Sequence, residues 1–252
     1  RSNVLHRERV SQLLSDALNY PVTILNAGTG YGKSIALLSF ISELKVPIFW
    51  FSVSGTDRDE TLFLTNLFTA FNQTEHPLGT EALRILKTPD IDPLEALIAL
   101  VNSITTEMTE PCLLIIDDFQ YVADLSPVLH LMDWLIEYLP PPLHIIFSTR
   151  TPIDFPSLHR WIAKGTVLML SKNDLMFTPE EIEALFQSHY HVKLNPQEVG
   201  QLYQRTEGWV IGLQMIWQAM KNHPDESLSQ ILEEGSESSV NLFAYLAEEV
   251  LE

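Results

Sequence analysis

A glycine-rich turn between a short apolar run and a helical pattern constrains this chain more than any other feature. The turn follows the apolar run 22–25, and apolar residues at helical spacing follow it from Ile35 to Ile41. A strand, a glycine-rich turn ending in Lys-Ser and a helix are the parts of a phosphate-binding loop. The sequence therefore predicts such a loop, which consists of Ala27, Gly28, Thr29, Gly30, Tyr31, Gly32, Lys33 and Ser34.

The residue types in this loop suit the chemistry of phosphate binding. Glycines let successive backbone N–H groups turn toward phosphate oxygens, and the following helix adds the positive end of its dipole. Lys33 would neutralise the β- and γ-phosphates, and the Ser34 hydroxyl would bind Mg²⁺. The motif is imperfect, because Ala27 stands where its first glycine is expected. A glycine-rich turn before an ordinary helix is the alternative interpretation.

A second signal is the apolar run 113–116, which two acids, Asp117 and Asp118, follow directly. An acid at the C-terminal end of a strand beside the loop strand can hold Mg²⁺, and we expect Asp117 to do so. Asp118 would then orient or activate an attacking water. The alternative is an acidic strand end that faces solvent.

Two weaker signals come later in the chain. Arg150 closes the polar triplet 148–150 after another apolar run, and we expect it to read the γ-phosphate because a guanidinium matches phosphate geometry. An exposed arginine at a strand end is the alternative. Gly208, Trp209 and Val210 open an apolar helix, and Gly208 would permit close approach to a nucleotide base or to the sheet. A buried tryptophan in a helical bundle is the simpler interpretation.

The order of apolar runs and helical patterns predicts the fold class. Strands alternate with helices up to about residue 177, which implies a parallel sheet, and the pattern is only helical afterwards. We predict an α/β fold, a P-loop NTPase three-layer sandwich followed by an all-helical domain. The expected domains are a lead-in helix in 1–20, a nucleotide-binding domain in 21–177 and a helical domain in 178–252. The predicted strands are 22–26, 48–51, 112–118, 143–147 and 167–170.

Composition narrows the class of partner. The net charge is −18, with 15 basic and 33 acidic residues, so few cations are left for a nucleic-acid-binding face. We expect no direct contact with DNA. No apolar run is long enough to span a membrane, and the single cysteine, Cys112, favours a reducing compartment. These features predict a cytoplasmic protein without membrane contact.

In order and spacing, the loop, the Asp-Asp strand, the Ser-Thr-Arg strand end and the Gly-Trp helix resemble a known family. They are similar to the STAND-class P-loop NTPase modules of MalT-like, ATP-dependent LuxR-family transcriptional regulators. The segments 6–10, 50–52, 174–181 and 245–251 add to this resemblance, which covers nearly the whole chain. It implies bound ATP or ADP with Mg²⁺, with the loop, Arg7, Gly208, Trp209 and Val210 against the nucleotide.

The resemblance also implies what would follow in an intact protein. A winged helix would begin near residue 252, followed by a helical-repeat sensor and a DNA-binding helix-turn-helix. An inducer, self-association and DNA would then be partners through those segments. Gly28 and Val210 both stand where the family usually has proline. Phosphate binding should survive because Lys33 and Ser34 are present, whereas contact with the base is in question.

Three functions remain open from the sequence. The first is a switch, with nucleotide between the sheet domain and the helical domain and slow hydrolysis resetting it. The second is a turnover enzyme, either an ATPase with an arginine finger, for which Arg160 is the candidate, or a small-molecule kinase. A kinase usually has an arginine-bearing lid, and the bases available after residue 177 are Lys193, Arg205 and Lys221. The third is a scaffold with a degenerate site, against which the intact loop argues.

Overall fold

The computed structural model describes residues 5–73 and 77–232. Within these residues the chain divides into two compact units. The sheet unit comprises Glu8–Gly28 and Lys33–Asp174. The helical unit comprises, among the described residues, 5–7, Thr29–Gly32 and 175–232. The middle of the glycine-rich loop therefore groups with the helical unit, whereas its two ends group with the sheet unit.

The sheet unit is built on five parallel strands, as the alternating pattern predicts. Their order across the sheet is β2-β3-β4-β1-β5. We expected β3, which carries the acids, to lie beside the loop strand β1. In the structure β4 lies between them and pairs with both. The strands are β1 Val22–Asn26, β2 Ile48–Ser52, β3 Cys112–Asp117, β4 Leu143–Thr149 and β5 Val167–Ser171.

Helices connect these strands, which gives the predicted α/β architecture. The first predicted helix is shorter than expected, because a 3-10 turn at Asp16–Asn19 replaces its end. Further 3-10 turns lie at Gly55–Arg58 and Phe119–Tyr121. The helices are α1 Glu8–Ser15, α2 Lys33–Ile41, α3 Glu60–Ala70, α4 Thr80–Leu86, α5 Pro93–Glu107, α6 Ser126–Glu137, α7 Leu158–Lys164 and α8 Lys172–Leu175.

Aromatic rings form the part of the core that supports the carboxyl ends of β3 and β4. Phe119 is fully buried and lies 5.0 Å from Phe147 and 5.8 Å from Phe155, measured between ring centroids. Burial of an aromatic side chain contributes about 1.5–3 kcal/mol. The buried Phe119 side chain therefore anchors the turn after β3 to the core, next to Asp117 and Asp118.

The helical unit contains α9 Pro179–Ser188, α10 Pro196–Thr206 and α11 Val210–Asn222. Thr178, the first residue of the expected helical domain, caps α9 and pairs with Glu181 in a capping box. The apolar core of this unit includes Phe186 and Leu213, neither of them exposed. In the last part of the expected helical domain, residues 228–232 are helical. Residues 233–252, where we expected this domain to end near the start of a winged helix, lie outside the described residues.

No helix in the described part of the chain is both long and apolar enough to cross a membrane.

Candidate functional site

Lys33 is the first residue of α2, and its side chain turns back over the glycine-rich loop. The Lys33 ammonium Nζ donates to the carbonyl oxygens of Ala27 at 2.6 Å and of Gly28 at 3.1 Å. The side chain is buried within the sheet unit, with only 7% of the residue exposed. A cation in this position closes the two ends of the loop toward each other.

The electrostatic surroundings of Lys33 disfavour its charge. The pKa of Lys33 is lowered from its ordinary value to about 8, chiefly by burial and secondly by the positive charge of Arg150. The carboxylates of Asp118 and Asp117 act in the opposite direction but do not compensate. An additional anion at this place would therefore be favourable, because it would restore the stability of the charged ammonium.

Ser34 and Asp117 are brought together although 83 positions separate them in the sequence. The Ser34 hydroxyl donates to Asp117 Oδ2 at 2.8 Å, and the backbone N–H of Asp118 donates to Asp117 Oδ1 at 3.0 Å. A hydroxyl and a carboxylate are oxygen ligands of the kind that Mg²⁺ takes together with phosphates and water. Among the described residues there is no group of three or more acidic, histidine or cysteine side chains that could hold a metal ion by themselves. The pair therefore fits a magnesium ion that is shared with a phosphate ligand.

Asp118 and Arg150 face each other at the ends of β3 and β4. Arg150 Nε lies 3.6 Å from Asp118 Oδ1, and about a third of each side chain is exposed. Asp118 has a left-handed backbone with φ +57°, which turns the chain sharply away from the strand. Ser148, fully buried, precedes the arginine by two residues. Both charged groups thus follow the carboxyl ends of their strands, on the same side of the sheet as the loop that follows β1.

Gln120 belongs to this group, although no sequence pattern predicted it. Its Nε2 donates to Asp118 Oδ1 at 2.8 Å, and its Oε1 accepts the backbone N–H of Arg150 at 3.1 Å. A glutamine two residues after an acid has no recognisable pattern, so only the folded turn reveals these contacts. The amide links the strand end that carries the acid with the strand end that carries the arginine.

In the helical unit, the start of α11 contacts the tip of the loop. The indole N–H of Trp209 donates to the carbonyl oxygen of Thr29 at 3.0 Å, and its ring lies 6.5 Å from Tyr31. Gly30, with φ +77°, comes so close to Ile211 and Trp209 that a Cβ atom there would overlap both side chains. The loop tip is therefore packed against this helix through backbone as well as side-chain atoms.

Two other expected site residues have mainly structural contacts in the helical unit. Gly208 comes close to the backbone of Phe177, whose N–H donates to Gly208 O at 2.9 Å. Val210 lies beside the loop tip, where a Cβ on Gly32 would be 3.7 Å from its Cγ1. The expected contact of Gly208 and Val210 with a nucleotide therefore stays a prediction.

Arg7 also has extensive contacts with the protein itself. Its terminal nitrogens donate to the carbonyl oxygens of Leu175 and Met176, each at 2.8 Å, and to Glu181 Oε2 at 2.7 Å. Its guanidinium carbon lies 3.9 Å from the ring centroid of Phe177. Arg7 thus stabilises the helical unit, and a contact with nucleotide would have to share these hydrogen bonds.

Comparison with known proteins gives two kinds of similarity, although no family model matches the chain. The HTH-type transcriptional regulator MalT of Vibrio parahaemolyticus is 23% identical over 253 residues, which is 99% of this chain and 27% of that protein. MalT of Yersinia enterocolitica is 24% identical over 252 residues, with the same coverage of both chains. The chain therefore spans about a quarter of the length of the curated relatives it matches.

Solved structures show the same fold. A Walker-type ATPase of Pyrococcus abyssi has a TM-score of 0.62 at 17% identity, covering 99% of this chain and 76% of that one. The Orc1 protein of Aeropyrum pernix, solved in complex with DNA, has a TM-score of 0.53 at 13% identity, covering 94% and 66%. The chain is thus similar to a part of MalT along nearly its whole length, and it has the fold of a Walker-type ATPase.

Proposed function

We propose that this module binds ATP and ADP with Mg²⁺ and acts as a STAND-class signalling switch in a transcriptional regulator. The observation that carries the proposal is the 2.8 Å hydrogen bond from Ser34 to Asp117, two residues far apart in sequence. It joins the end of the glycine-rich loop to the acidic end of β3, where a magnesium–nucleotide complex requires a hydroxyl and a carboxylate.

Each residue of the group then has a distinct task. Lys33 exchanges its hydrogen bonds with the loop carbonyls for stronger, charge-assisted bonds to phosphate oxygens. Ser34 and Asp117 would hold Mg²⁺, which neutralises charge on the phosphates. Asp118 accepts a hydrogen bond from the attacking water, and Arg150 donates to the γ-phosphate.

The pairing of Arg150 with Asp118 favours a switch. The two side chains are 3.6 Å apart, so a γ-phosphate would compete with Asp118 for the same guanidinium. ATP and ADP differ by this phosphate, so they would stabilise different arrangements of the two strand ends. Hydrolysis would return the arrangement to the ADP form, and it needs to be slow for the ATP form to persist.

The role of the intact protein rests on its relatives. The MalT proteins are HTH-type transcriptional regulators, and this chain matches about a quarter of their length. An inducer, self-association and DNA would therefore act through parts of the protein beyond this module. The chain has a net charge of −18, which disfavours contact with the phosphates of DNA, so DNA would bind to another segment of the protein.

Calorimetric titration of the full chain with ATP and ADP tests the proposal. The wild type should bind both nucleotides, and Lys33→Ala should weaken ATP binding by about 100-fold, roughly the loss of one strong charge-assisted contact. Lys45→Ala, which removes an exposed lysine, is the matched control and should bind as the wild type does. Equal ATP affinity in the wild type and Lys33→Ala would refute nucleotide binding by this loop.

The rate of hydrolysis distinguishes the switch from the second candidate function. Turnover well below about 1 s⁻¹, the low end of ordinary enzymes, is expected for a switch. A faster rate that Lys33→Ala abolishes would make the module a turnover ATPase instead.

A further inference from the structure

A cavity of about 410 Å³ lies at the amino ends of β1 and β4, at the opposite end of these strands from the glycine-rich loop and Arg150. Its volume lies within the range of about 300–1,000 Å³ that is typical of small-molecule sites. We propose that this cavity binds an α-amino acid with an apolar side chain. The inference goes beyond the proposed function, because every lining residue belongs to the sheet unit and none belongs to the nucleotide site.

Two opposite charges line this cavity without contacting each other. Glu137 is the last residue of α6 and Lys164 is the last residue of α7, and both line the cavity. The Glu137 carboxylate pairs with Arg160, whereas the Lys164 side chain has no ion pair or hydrogen bond with any residue that the structure describes. Because each charge attracts a ligand group of the opposite sign, a molecule that carries both signs would bridge them.

The Glu137 carboxylate is held in place by one of its two oxygens. Arg160 Nη2 donates to Glu137 Oε2 at 2.6 Å, and the indole nitrogen of Trp161 lies 3.4 Å from the same oxygen. Within the described ranges, no donor contacts Glu137 Oε1. This oxygen can therefore accept from the ammonium group of a ligand in a charge-assisted hydrogen bond, which is among the stronger kinds in proteins.

His144 supplies a second acceptor at the same cavity. Its Nδ1 lies 2.8 Å from the carbonyl oxygen of Tyr20. A carbonyl oxygen only accepts, so Nδ1 carries the proton, and in the neutral ring Nε2 is an acceptor. No described residue donates to this Nε2. Two acceptors and one cation suit an α-amino acid, because its ammonium group has three donors and its carboxylate can bind Lys164.

Apolar side chains form much of the remaining cavity wall and select the body of the ligand. Ile136, Pro140 and Leu143 are buried members of this wall. Pro141 also lines the cavity, and two consecutive proline rings fix the backbone there before any ligand arrives. Small-molecule sites typically combine such a surface with a few polar groups. The lining therefore favours an amino acid with an apolar side chain over one with a charged side chain.

NMR titration of the ¹⁵N-labelled full chain without nucleotide tests the inference. L-Phenylalanine and L-leucine are the probes, and each should shift the amide signals of 143–144 and 164–166 with a Kd of about 1 mM or lower. Two analogues separate the charges, since 3-phenylpropionate lacks the ammonium group of phenylalanine and 2-phenylethylamine lacks its carboxylate. Each analogue should bind about tenfold more weakly or worse, because it loses one charge-assisted contact.

Two substitutions assign the ligand charges to their partners. Lys164→Met should weaken the binding of L-phenylalanine by about tenfold and leave that of 2-phenylethylamine within about twofold of wild type. Glu137→Gln should weaken the binding of L-phenylalanine to a similar extent and leave that of 3-phenylpropionate unchanged. Lys87→Met, which removes an exposed lysine at the end of α4, is the matched control and should bind as the wild type does.

Several results would overturn the inference. They are unshifted signals around the cavity with both amino acids, an analogue that binds as tightly as phenylalanine, or wild-type affinity in Lys164→Met. Displacement of the probe by ATP with Mg²⁺ would also overturn it, because the probe would then occupy the glycine-rich loop. Failure of ATP binding would refute the proposed function and leave this test intact, because probe binding is measured without nucleotide.

Discussion

Lys33 is a cation whose surroundings are poorly suited to its charge in the absence of a phosphate. Burial is the main cause of its lowered pKa, and Arg150 is the second. Its two hydrogen bonds go to neutral carbonyl oxygens, which compensate for lost hydration only in part. A phosphate ligand would supply the missing negative charge, so binding and protonation of Lys33 should be linked.

This linkage gives a pH-dependent prediction. The pKa of Lys33 is about 8 without ligand, and phosphates should raise it, so binding takes up a proton above that pH. ATP affinity should consequently fall as pH rises from about 8 to about 10, by at most about tenfold per pH unit. Calorimetry in two buffers of different ionisation enthalpy, at about pH 8.5, measures the proton uptake directly.

Lys33→Arg is the control for this measurement, because a guanidinium stays charged throughout the same pH range. Its remaining ATP affinity should not depend on pH in this window, and its binding should take up no proton. Proton release by the wild type, or affinity that rises with pH, would contradict the assignment of Lys33 to the phosphates.

At the residue scale, the sequence predicted those members of the group that belong to local patterns. Lys33 and Ser34 follow glycines before a helix, and Asp117 follows an apolar run. Gln120 was missed because its partners are defined only when β3 and β4 lie side by side. The protein contacts of Arg7 were missed for the same reason, since its acceptors lie 168 to 174 positions further along the chain.

At the scale of elements, Phe177 and Gly208 form a close backbone contact within the helical unit, next to the start of α11. Gly208 has φ +75°, and a Cβ atom there would overlap the backbone of Phe177. The N–H of Phe177 also donates to Gly208 O at 2.9 Å. The start of α11, with Trp209, therefore depends on a residue without a side chain.

Gly208→Ala should lower the free energy of unfolding by about 2–4 kcal/mol, because it adds a left-handed alanine and a backbone overlap. Gly200→Ala is the matched control within α10, where a Cβ would have no neighbour within 4 Å. That change should raise the free energy of unfolding by about 0.5–1 kcal/mol. Urea denaturation followed by circular dichroism measures both, and a Gly208→Ala protein as stable as wild type would contradict the expectation.

The elements themselves were predictable where a pattern was strong. Apolar runs predicted all five strands to within about two residues at their ends. The reason is clearest in β3, which is buried on both faces and has no polar position before its final acid. The short helices α4 and α7 were not predicted, since seven residues give too few turns for a clear periodicity. The place of β4 between β1 and β3 depends on which crossover packs best, and no local pattern encodes that.

At the scale of the whole molecule, the glycine-rich loop belongs to both compact units. Thr29–Gly32 groups with the helical unit, where Trp209 donates to Thr29 O. Lys33 and Ser34 group with the sheet unit, where they contact the ends of the loop and Asp117. A ligand that fixes the loop should therefore stabilise residues in both units rather than only those around the sheet.

Hydrogen exchange with and without ATP and Mg²⁺ measures this effect. Bound nucleotide should slow amide exchange in α2 and also at 209–213, because local opening of either segment would release loop contacts. Trp209→Phe keeps an aromatic ring but loses the N–H that donates to Thr29. In that variant the protection of α2 should remain, and the protection of 209–213 should be reduced severalfold. Protection confined to α2 in the wild type would show that the loop does not transmit nucleotide binding to the helical unit.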